Sequence, residues 1–154
     1  MYQAFAPMDA GISDRDLRIE IFALCESASD QNGRLSILGT FETIQSLQFP
    51  VILHQAVVVL RVRFWPTESR QHKVRMMFND PDGRQVLSPV ESDLTLQPPN
   101  EDQSAAYNLL LHVRDLRLQA AGEHAIDFFL NDNLQGRLPL IVLPLPRTET
   151  SPSW

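Results

Sequence analysis

The chain alternates apolar and polar residues in short runs, a pattern typical of strands with one buried face. The first clear run, residues 17–25, predicts a strand because its apolar residues recur at every second position. Those predicted to face the core are Leu17, Ile19, Ile21, Ala23 and Cys25. A second strand follows the turn-forming pair Asn32-Gly33. Its predicted inward residues are Leu35, Ile37 and Phe41.

The opposite face of the first strand is not fully polar. Phe22 and Leu24 fall on it, and Phe129 lies on the nominal solvent face of a later strand. Part of this face is therefore expected to be covered, by the N-terminal arm, by the proline-bearing loop at residues 97–104 or by another subunit. A helix over residues 13–25 is the competing interpretation, because its start resembles a capping box, but the β-branched and aromatic content favours a strand.

The middle of the chain predicts two strands joined as a hairpin, the first of them rich in valine. The inward residues of the first strand are Ala56, Val58, Leu60, Val62 and Phe64, and those of the second are Val74, Met76 and Phe78. Later short runs, separated by turn signals, predict further strands. Seven to nine strands without a convincing helix indicate an all-β fold, an antiparallel β-sandwich of immunoglobulin-like or jelly-roll-like type.

A chain of 154 residues is long enough to bury one sizeable core. We predict an N-terminal arm at residues 1–15, a single β-sandwich domain at residues 16–145 and a disordered tail at residues 146–154. One cysteine, Cys25, cannot form an internal disulfide, which favours a reducing compartment. The sequence shows no signal-peptide pattern and no apolar run of transmembrane length, so a cytoplasmic protein that does not bind membranes is expected.

The segment Phe78–Arg84, FNDPDGR, is the sharpest chemical motif in the chain. Aligned with an EF-hand loop, it lacks side-chain ligands at two of the four positions that calcium needs. The weak metal candidates are Asp80, Asp82 and Asp132, which would form a C2-like site if their loops met at one end of the sandwich. Because Pro-Asp-Gly between apolar runs is typical of a tight turn, a turn is the preferred interpretation.

Catalytic chemistry finds no support in the sequence. The histidines lack the spacing of paired metal ligands, and Cys25 ends an apolar alternation that predicts a buried thiol. These histidines are His54, His72, His112 and His124. No nucleophile elbow or glycine-rich phosphate loop is present. We therefore predict no catalytic residues and no cofactor, and the interpretation leans away from an enzyme.

The net charge of −6 argues against nucleic-acid binding, but residues 55–85 hold six cations against three acids. If the two central strands form a hairpin, their outward residues would form one basic face that could receive an anionic partner such as an acidic protein segment. That face would contain Arg61, Arg63, Trp65, Lys73 and Arg75. The alternative that we favour is that these cations form ion pairs with acids of neighbouring strands, such as Glu20 or Asp127.

Several motifs together resemble a family of uncharacterised bacterial proteins. They are ALCESASDQNGRLSILGTF at residues 23–41, the central NDPDGR, the later AAGEHAIDFFLND and the final RLPLIVLP. The likeness covers roughly residues 17–143, and one departure is His124, where members more often have an aromatic residue. The resemblance implies a single β-sandwich domain with no assigned activity.

A non-catalytic cytoplasmic interaction module, which could associate with itself, is therefore the expected function. The expected partner is a second copy of the chain or an acidic protein. Two alternatives remain open from the sequence. One is a small-ligand or carbohydrate-binding sandwich, or an enzyme, that uses its end loops, and the other is a calcium-dependent C2-like domain.

Overall fold

A computed structural model describes residues 17–66, 71–97, 100 and 102–146. The predicted arm at residues 1–15 and most of the predicted tail lie outside this described part. The described residues form nine strands and no helix. The first five are β1 (Arg18–Gln31), β2 (Arg34–Thr40), β3 (Thr43–Ser46), β4 (Val51–Phe64) and β5 (Gln71–Asn79). The others are β6 (Val90–Thr95), β7 (Ala105–Leu118), β8 (Gly122–Leu130) and β9 (Asn133–Pro144).

The strands form two sheets, which confirms the predicted β-sandwich. One sheet has the order β2-β1-β4-β7 and the other has the order β3-β9-β8-β5-β6. All pairs are antiparallel except β3 with β9, which is parallel. The neighbours β4-β7 and β5-β8-β9 follow the order of strands B-E and C-F-G in immunoglobulin domains. The fold is thus an immunoglobulin-like sandwich to which the β1–β2 hairpin is added.

The main core lies between the two sheets, and β4 runs through its centre. Val58, Leu60 and Val62 face the other sheet and are at most 1% exposed, as the alternation along this strand predicts. Ile126 and Phe128 of β8 meet them from the second sheet. Burying one such side chain stabilises the fold by about 1.5–3 kcal/mol. The apolar side chains between the sheets are therefore the main source of stability.

A β-bulge at Glu20 reverses the faces of β1. The register with β4 shifts between Ile19 and Ile21, so the residues after Glu20 point to the sides opposite to those predicted. Phe22 and Leu24 contact the main core, and Leu24 is only 3% exposed. The prediction that these two residues occupy the solvent face is wrong, because a bulge adds one residue to a pattern of period two.

The β1–β2 hairpin folds back over the outer face of its own sheet. Strand β1 pairs with β4 up to Cys25 and then continues alongside β2 alone. The tip of the hairpin contacts the first part of β7. There the Asn108 amide lies 3.4 Å from the Asp30 carboxylate and 3.5 Å from the Gly33 carbonyl. The fold therefore has a short third layer over β4 and β7.

A second apolar cluster fills the space beneath this hairpin. Val57 and Val59, on the outer face of β4, are at most 1% exposed. The residues packed against them include Ile21, Cys25, Ala28, Leu35, Ile37 and Leu110. Leu35 and Ile37 were predicted to enter the main core, but they belong to this second cluster. The hairpin thus covers the apolar outer residues Val57 and Val59 of β4.

Cys25 lies in the second cluster and is fully buried. Its thiol is 3.3 Å from the Ser27 carbonyl and 3.5 Å from the Val57 carbonyl. Burial raises the pKa of the Cys25 thiol, and the Ser27 hydrogen bond offsets only part of this rise. A thiol with a raised pKa is a poor nucleophile at neutral pH, so Cys25 acts here as a small apolar residue.

Candidate functional site

The predicted basic face is divided between the two sheets. Strands β4 and β5 do not pair with each other, because β4 belongs to the four-stranded sheet and β5 to the five-stranded sheet. Arg61 and Arg63 therefore lie on the outer face of one sheet, whereas Lys73 and Arg75 lie on the outer face of the other. Trp65 follows β4 and is half-buried. The predicted hairpin is wrong, and these five residues do not form one surface.

The two arginines of β4 bind one carboxylate. The Glu20 oxygens lie 3.1 Å from Nε of Arg61 and 3.0 Å from Nε of Arg63. Arg61 also donates to the Asn108 side chain, and Arg63 donates to Ser104. Burial alone would raise the pKa of Glu20, but Arg63 and Arg61 outweigh it and lower that pKa. The ion pairs expected of neighbouring acids are thus present at this end of the sheet.

Glu20→Gln is expected to lower the free energy of unfolding at pH 7 by about 1 kcal/mol, because it leaves two neighbouring arginines without their acid. The folded pKa of Glu20 is lowered, so its contribution is present above the ordinary value of 4.5. This contribution is lost as pH falls through the folded pKa. Urea unfolding from pH 7 to pH 3 measures it, with the exposed Glu42→Gln as control. A difference from wild type that persists unchanged at pH 3 would contradict this assignment.

The cations of β5 also have partners on their own sheet. Nζ of Lys73 lies 3.8 Å from Glu91, and Nη1 of Arg75 lies 3.4 Å from Asp132. The Arg75 guanidinium stacks over the Phe129 ring at 4.5 Å, which keeps Phe129 on the predicted outer face and partly covers it. Because each of these cations already has an acidic neighbour, the region offers little unpaired positive charge to an anionic partner.

Asp127 forms the tightest ion pair among the described residues. Its carboxylate lies 2.7 Å and 2.9 Å from Nε and Nη2 of Arg137, and it also accepts a hydrogen bond from Asn79 at 3.1 Å. Asp127 is 3% exposed even though it lies on the outer face of β8. The Asp127 hydrogen bonds and charge raise the pKa of Arg137. Both carboxylate oxygens of Asp127 are already paired, so this arrangement is structural.

The weak calcium candidates lie far apart. Asp80 and Asp82 follow the last residue of β5, whereas Asp132 lies beyond Leu130, which pairs with Val74 near the start of β5. The expectation that their loops share one end of the sandwich is wrong. The Asp80 carboxylate instead accepts hydrogen bonds from the backbone N–H groups of Asp82 and Arg84, at 2.9 Å and 2.8 Å. The segment is the turn that the sequence favours.

The histidines are distributed across the fold. His72 and His124 are buried, and Nδ1 of His72 lies 3.1 Å from the Asn131 amide. His54 lies 3.1 Å from the Asp115 carboxylate, and His112 is exposed on β7. Within the described residues, no group of three or more histidine, cysteine or acidic residues is arranged to hold a metal ion.

Within the described part of the chain, one edge of the sandwich lacks the protection that the other edges have. Among the described residues the edge strands are β2, β3, β6 and β7. Strand β3 has four residues, β6 carries Glu91 and Asp93, and β2 belongs to the folded hairpin. Strand β7 has 14 residues, and residues 105–113 within it contain neither a charge nor a proline. Natural edge strands are usually short, charged or covered, so an uncharged edge of this length is unusual.

Among the described strands, β7 has β4 on one side and no neighbour on the other side of its sheet. Strand β7 corresponds to strand E of constant-type immunoglobulin domains, and in those domains strand D pairs with the outer side of strand E. Here the described residues between Leu96 and Ser104 contain no strand. Leu109 and Leu111 contact the main core but remain partly exposed beside the open edge. Backbone groups of β7 that point away from β4 therefore have no strand partner within the described chain.

A cavity opens beside this edge, between the two sheets. Its volume is about 220 Å³. The residues that line it are Phe78, Leu87, Val90, Leu111, His112, Val113 and Arg114. Five of the seven lining residues are apolar. We refer to residues 105–113 of β7 together with this cavity as the open edge.

The open edge could not be predicted from the sequence. The order of strands in a sheet depends on pairings between distant segments, and the alternation along β7 gives no sign that one side is unpaired. The uncharged run at residues 105–113 was visible, but such a run is also typical of a strand buried in the middle of a sheet.

The architecture defines the class of this protein as an immunoglobulin-like β-sandwich. DUF6941, a family of unknown function, matches residues 20–143, and the chain belongs to this family. No curated protein matches the chain. The described residues contain no helix long and apolar enough to cross a membrane.

Two solved structures resemble the fold. An immunoglobulin-like protein from Pseudomonas aeruginosa is 12% identical with a TM-score of 0.42, and the match covers 84% of this chain and 98% of that one. The alkylpurine DNA glycosylase AlkC from Pseudomonas fluorescens, bound to DNA containing an abasic site analog, is 9% identical with a TM-score of 0.46. That match covers 83% of this chain but only 30% of the glycosylase. Likenesses at this level carry no argument about function.

Proposed function

We propose that this protein is a non-catalytic cytoplasmic interaction module that binds an extended segment of another polypeptide along the open edge. The observation that supports this function is the 14-residue strand β7, which pairs with no described strand on its outer side and part of which carries no charge. A segment that adds a strand there would satisfy the outward backbone groups of β7, and main-chain hydrogen bonds of this kind supply affinity in β-strand addition.

The cavity would add selectivity to this binding. In strand addition, alternate side chains of the bound segment point to the same side and enter pockets of the host. The cavity beside Leu111 and Val113 lies on the inward side of β7, between the two sheets. A bound segment would therefore place one large apolar side chain there. The expected ligand is an extended segment with apolar residues at alternate positions.

Selection from a displayed peptide library tests this function. Wild-type protein is expected to enrich peptides with alternating apolar residues, and these peptides should shift the amide resonances of residues 105–113. Tyr107→Lys and Leu111→Lys should reduce peptide binding by about tenfold or more, because charged residues protect an edge strand from pairing. Tyr107 is 39% exposed, so its variant is expected to fold even if the Leu111 variant does not.

The matched control is Thr95→Lys, which adds the same charge to the exposed edge strand β6. This control should bind peptides as tightly as wild type. Enriched peptides that bind all three variants equally, or that shift resonances only outside β7, would contradict the proposed function.

A further inference from the structure

We infer that the segment bound at the open edge carries an Asp or Glu opposite Arg114, one or three positions from the apolar residue that enters the cavity. This inference rests on the proposed function, because it names the chemistry of the segment that this edge binds. The acid would form an ion pair with the Arg114 guanidinium across the two strands. The expected partner is therefore an extended acidic segment of another protein.

The cavity combines apolar walls with one fixed positive charge. Among the described residues that line it, the two that are not apolar are His112 and Arg114, and none is an acid. An arginine side chain is not deprotonated in proteins, so the charge of Arg114 is present at any pH of interest. Ligand sites of this kind use their few polar groups to orient an apolar ligand. Arg114 would thus favour a ligand that has an anion beside its apolar group.

Arg114 has no acid of its own among the described residues. It is exposed, and it forms no described ion pair. The next residue along the chain, Asp115, lies 3.1 Å from His54 instead. Glu91, which directly follows a lining residue of the cavity, lies 3.8 Å from Lys73. An acid on a bound segment would therefore find this guanidinium without a carboxylate partner from the described chain.

The position of Arg114 on β7 determines where the acid of the bound segment would lie. Arg114 still pairs with Gln55 of β4, and it directly follows the cavity residue Val113. Residues directly opposite each other in paired strands point to the same side, and successive residues alternate. A side chain opposite Val113 would therefore turn toward the cavity, and the next residue would lie opposite Arg114. If the apolar side chain lies opposite Leu111 instead, the acid is three positions away. Both spacings hold for either direction of the bound segment.

The sequences of selected peptides test the inference. Peptides that wild-type protein enriches from a displayed random library should contain Asp or Glu one or three positions from a large apolar residue. Selection on Arg114→Glu should enrich Lys or Arg at that position instead, because oppositely charged residues across two strands stabilise their pairing. The matched control is Arg117→Glu, since Arg117 is an exposed cation of the same strand that does not line the cavity. This control should retain the acidic preference.

The affinity of one enriched peptide measures the contribution of the ion pair. Replacing its acid by the corresponding amide should weaken binding to wild-type protein by about threefold at low ionic strength. The same replacement should change binding to Arg114→Gln by less than about 1.5-fold, because the guanidinium is already absent. Fluorescence anisotropy measures all four dissociation constants. Amidation of the peptide C-terminus should have no effect, because the recognised carboxylate belongs to a side chain.

The outcomes separate this inference from the proposed function. Peptides that bind at residues 105–113 without an acidic preference, or with one that persists on Arg114→Glu, would overturn the inference and leave the function standing. Loss of binding on C-terminal amidation would do the same, because the partner would then be a chain terminus. A dimer paired through β7 that no peptide dissociates would also overturn it. If no peptide binds at residues 105–113 of a monomeric chain, both the inference and the proposed function are wrong.

Discussion

Leu24→Ala is expected to lower the free energy of unfolding by about 3 kcal/mol. Leu24 is 3% exposed and packs in the main core, because the bulge at Glu20 turns it inward. Truncation would remove its buried methyl groups and leave a cavity that the two sheets cannot fully close. Urea unfolding followed by circular dichroism measures the change.

Leu38→Ala is the matched control for this substitution. Leu38 lies on β2 of the same hairpin but is 66% exposed, so the control should change stability by less than about 0.5 kcal/mol. If the two substitutions cost the same, the reversal of faces along β1 would be wrong, and with it the placement of the hairpin over the outer face.

Gly122→Ala is expected to destabilise the fold by about 2–4 kcal/mol. Gly122 has a φ of +133°, which an L-residue rarely adopts, and an added Cβ would lie 2.6 Å from Cγ of Pro81. The Pro81 ring is held by its own backbone and cannot rotate away, so the strand or the turn must move. Thermal and urea unfolding measure the loss.

Gly83→Ala separates backbone strain from the steric clash. Gly83 has a φ of +82°, but an added Cβ there would meet nothing within 4 Å. This control should cost about 1 kcal/mol, from the backbone conformation alone. Equal losses at the two positions would show that contact between the Pro81 turn and the start of β8 contributes nothing. A larger loss at Gly122 than at Gly83 would indicate that the FNDPDGR turn is packed against the start of β8 through Pro81.

Local pattern was enough to predict the fold class and the inward residues of β4. Val58, Leu60 and Val62 occupy every second position of a strand without a bulge, so the period of two predicts correctly that they face the core. The same period gives the wrong faces for the residues of β1 after Glu20, because a bulge there adds one residue to the strand. No residue pattern in the sequence indicates this bulge. The apolar outer residues of β4, such as Val59, are explained only by a hairpin that folds back over them.

The pairing of distant strands could not be predicted from the same pattern. Strands β4 and β5 are consecutive and were expected to pair, since consecutive strands are neighbours in most sheets. Here the chain crosses from one sheet to the other between them, as it does between strands B and C of immunoglobulin domains. That single difference separates Arg61 from Arg75 and removes the predicted basic face. It also leaves β7 at an edge, where the candidate site lies.

Amide hydrogen exchange of β7 tests the central claim most directly, because it reports whether that edge is open. Measured on dilute wild-type protein, alternate amides of residues 105–113 are expected to exchange quickly, while those directed toward β4 remain protected. Addition of a selected peptide should slow exchange of the fast set of amides by at least about tenfold. Uniform protection of every amide in this segment at the lowest concentration, unchanged by peptide, would contradict the account.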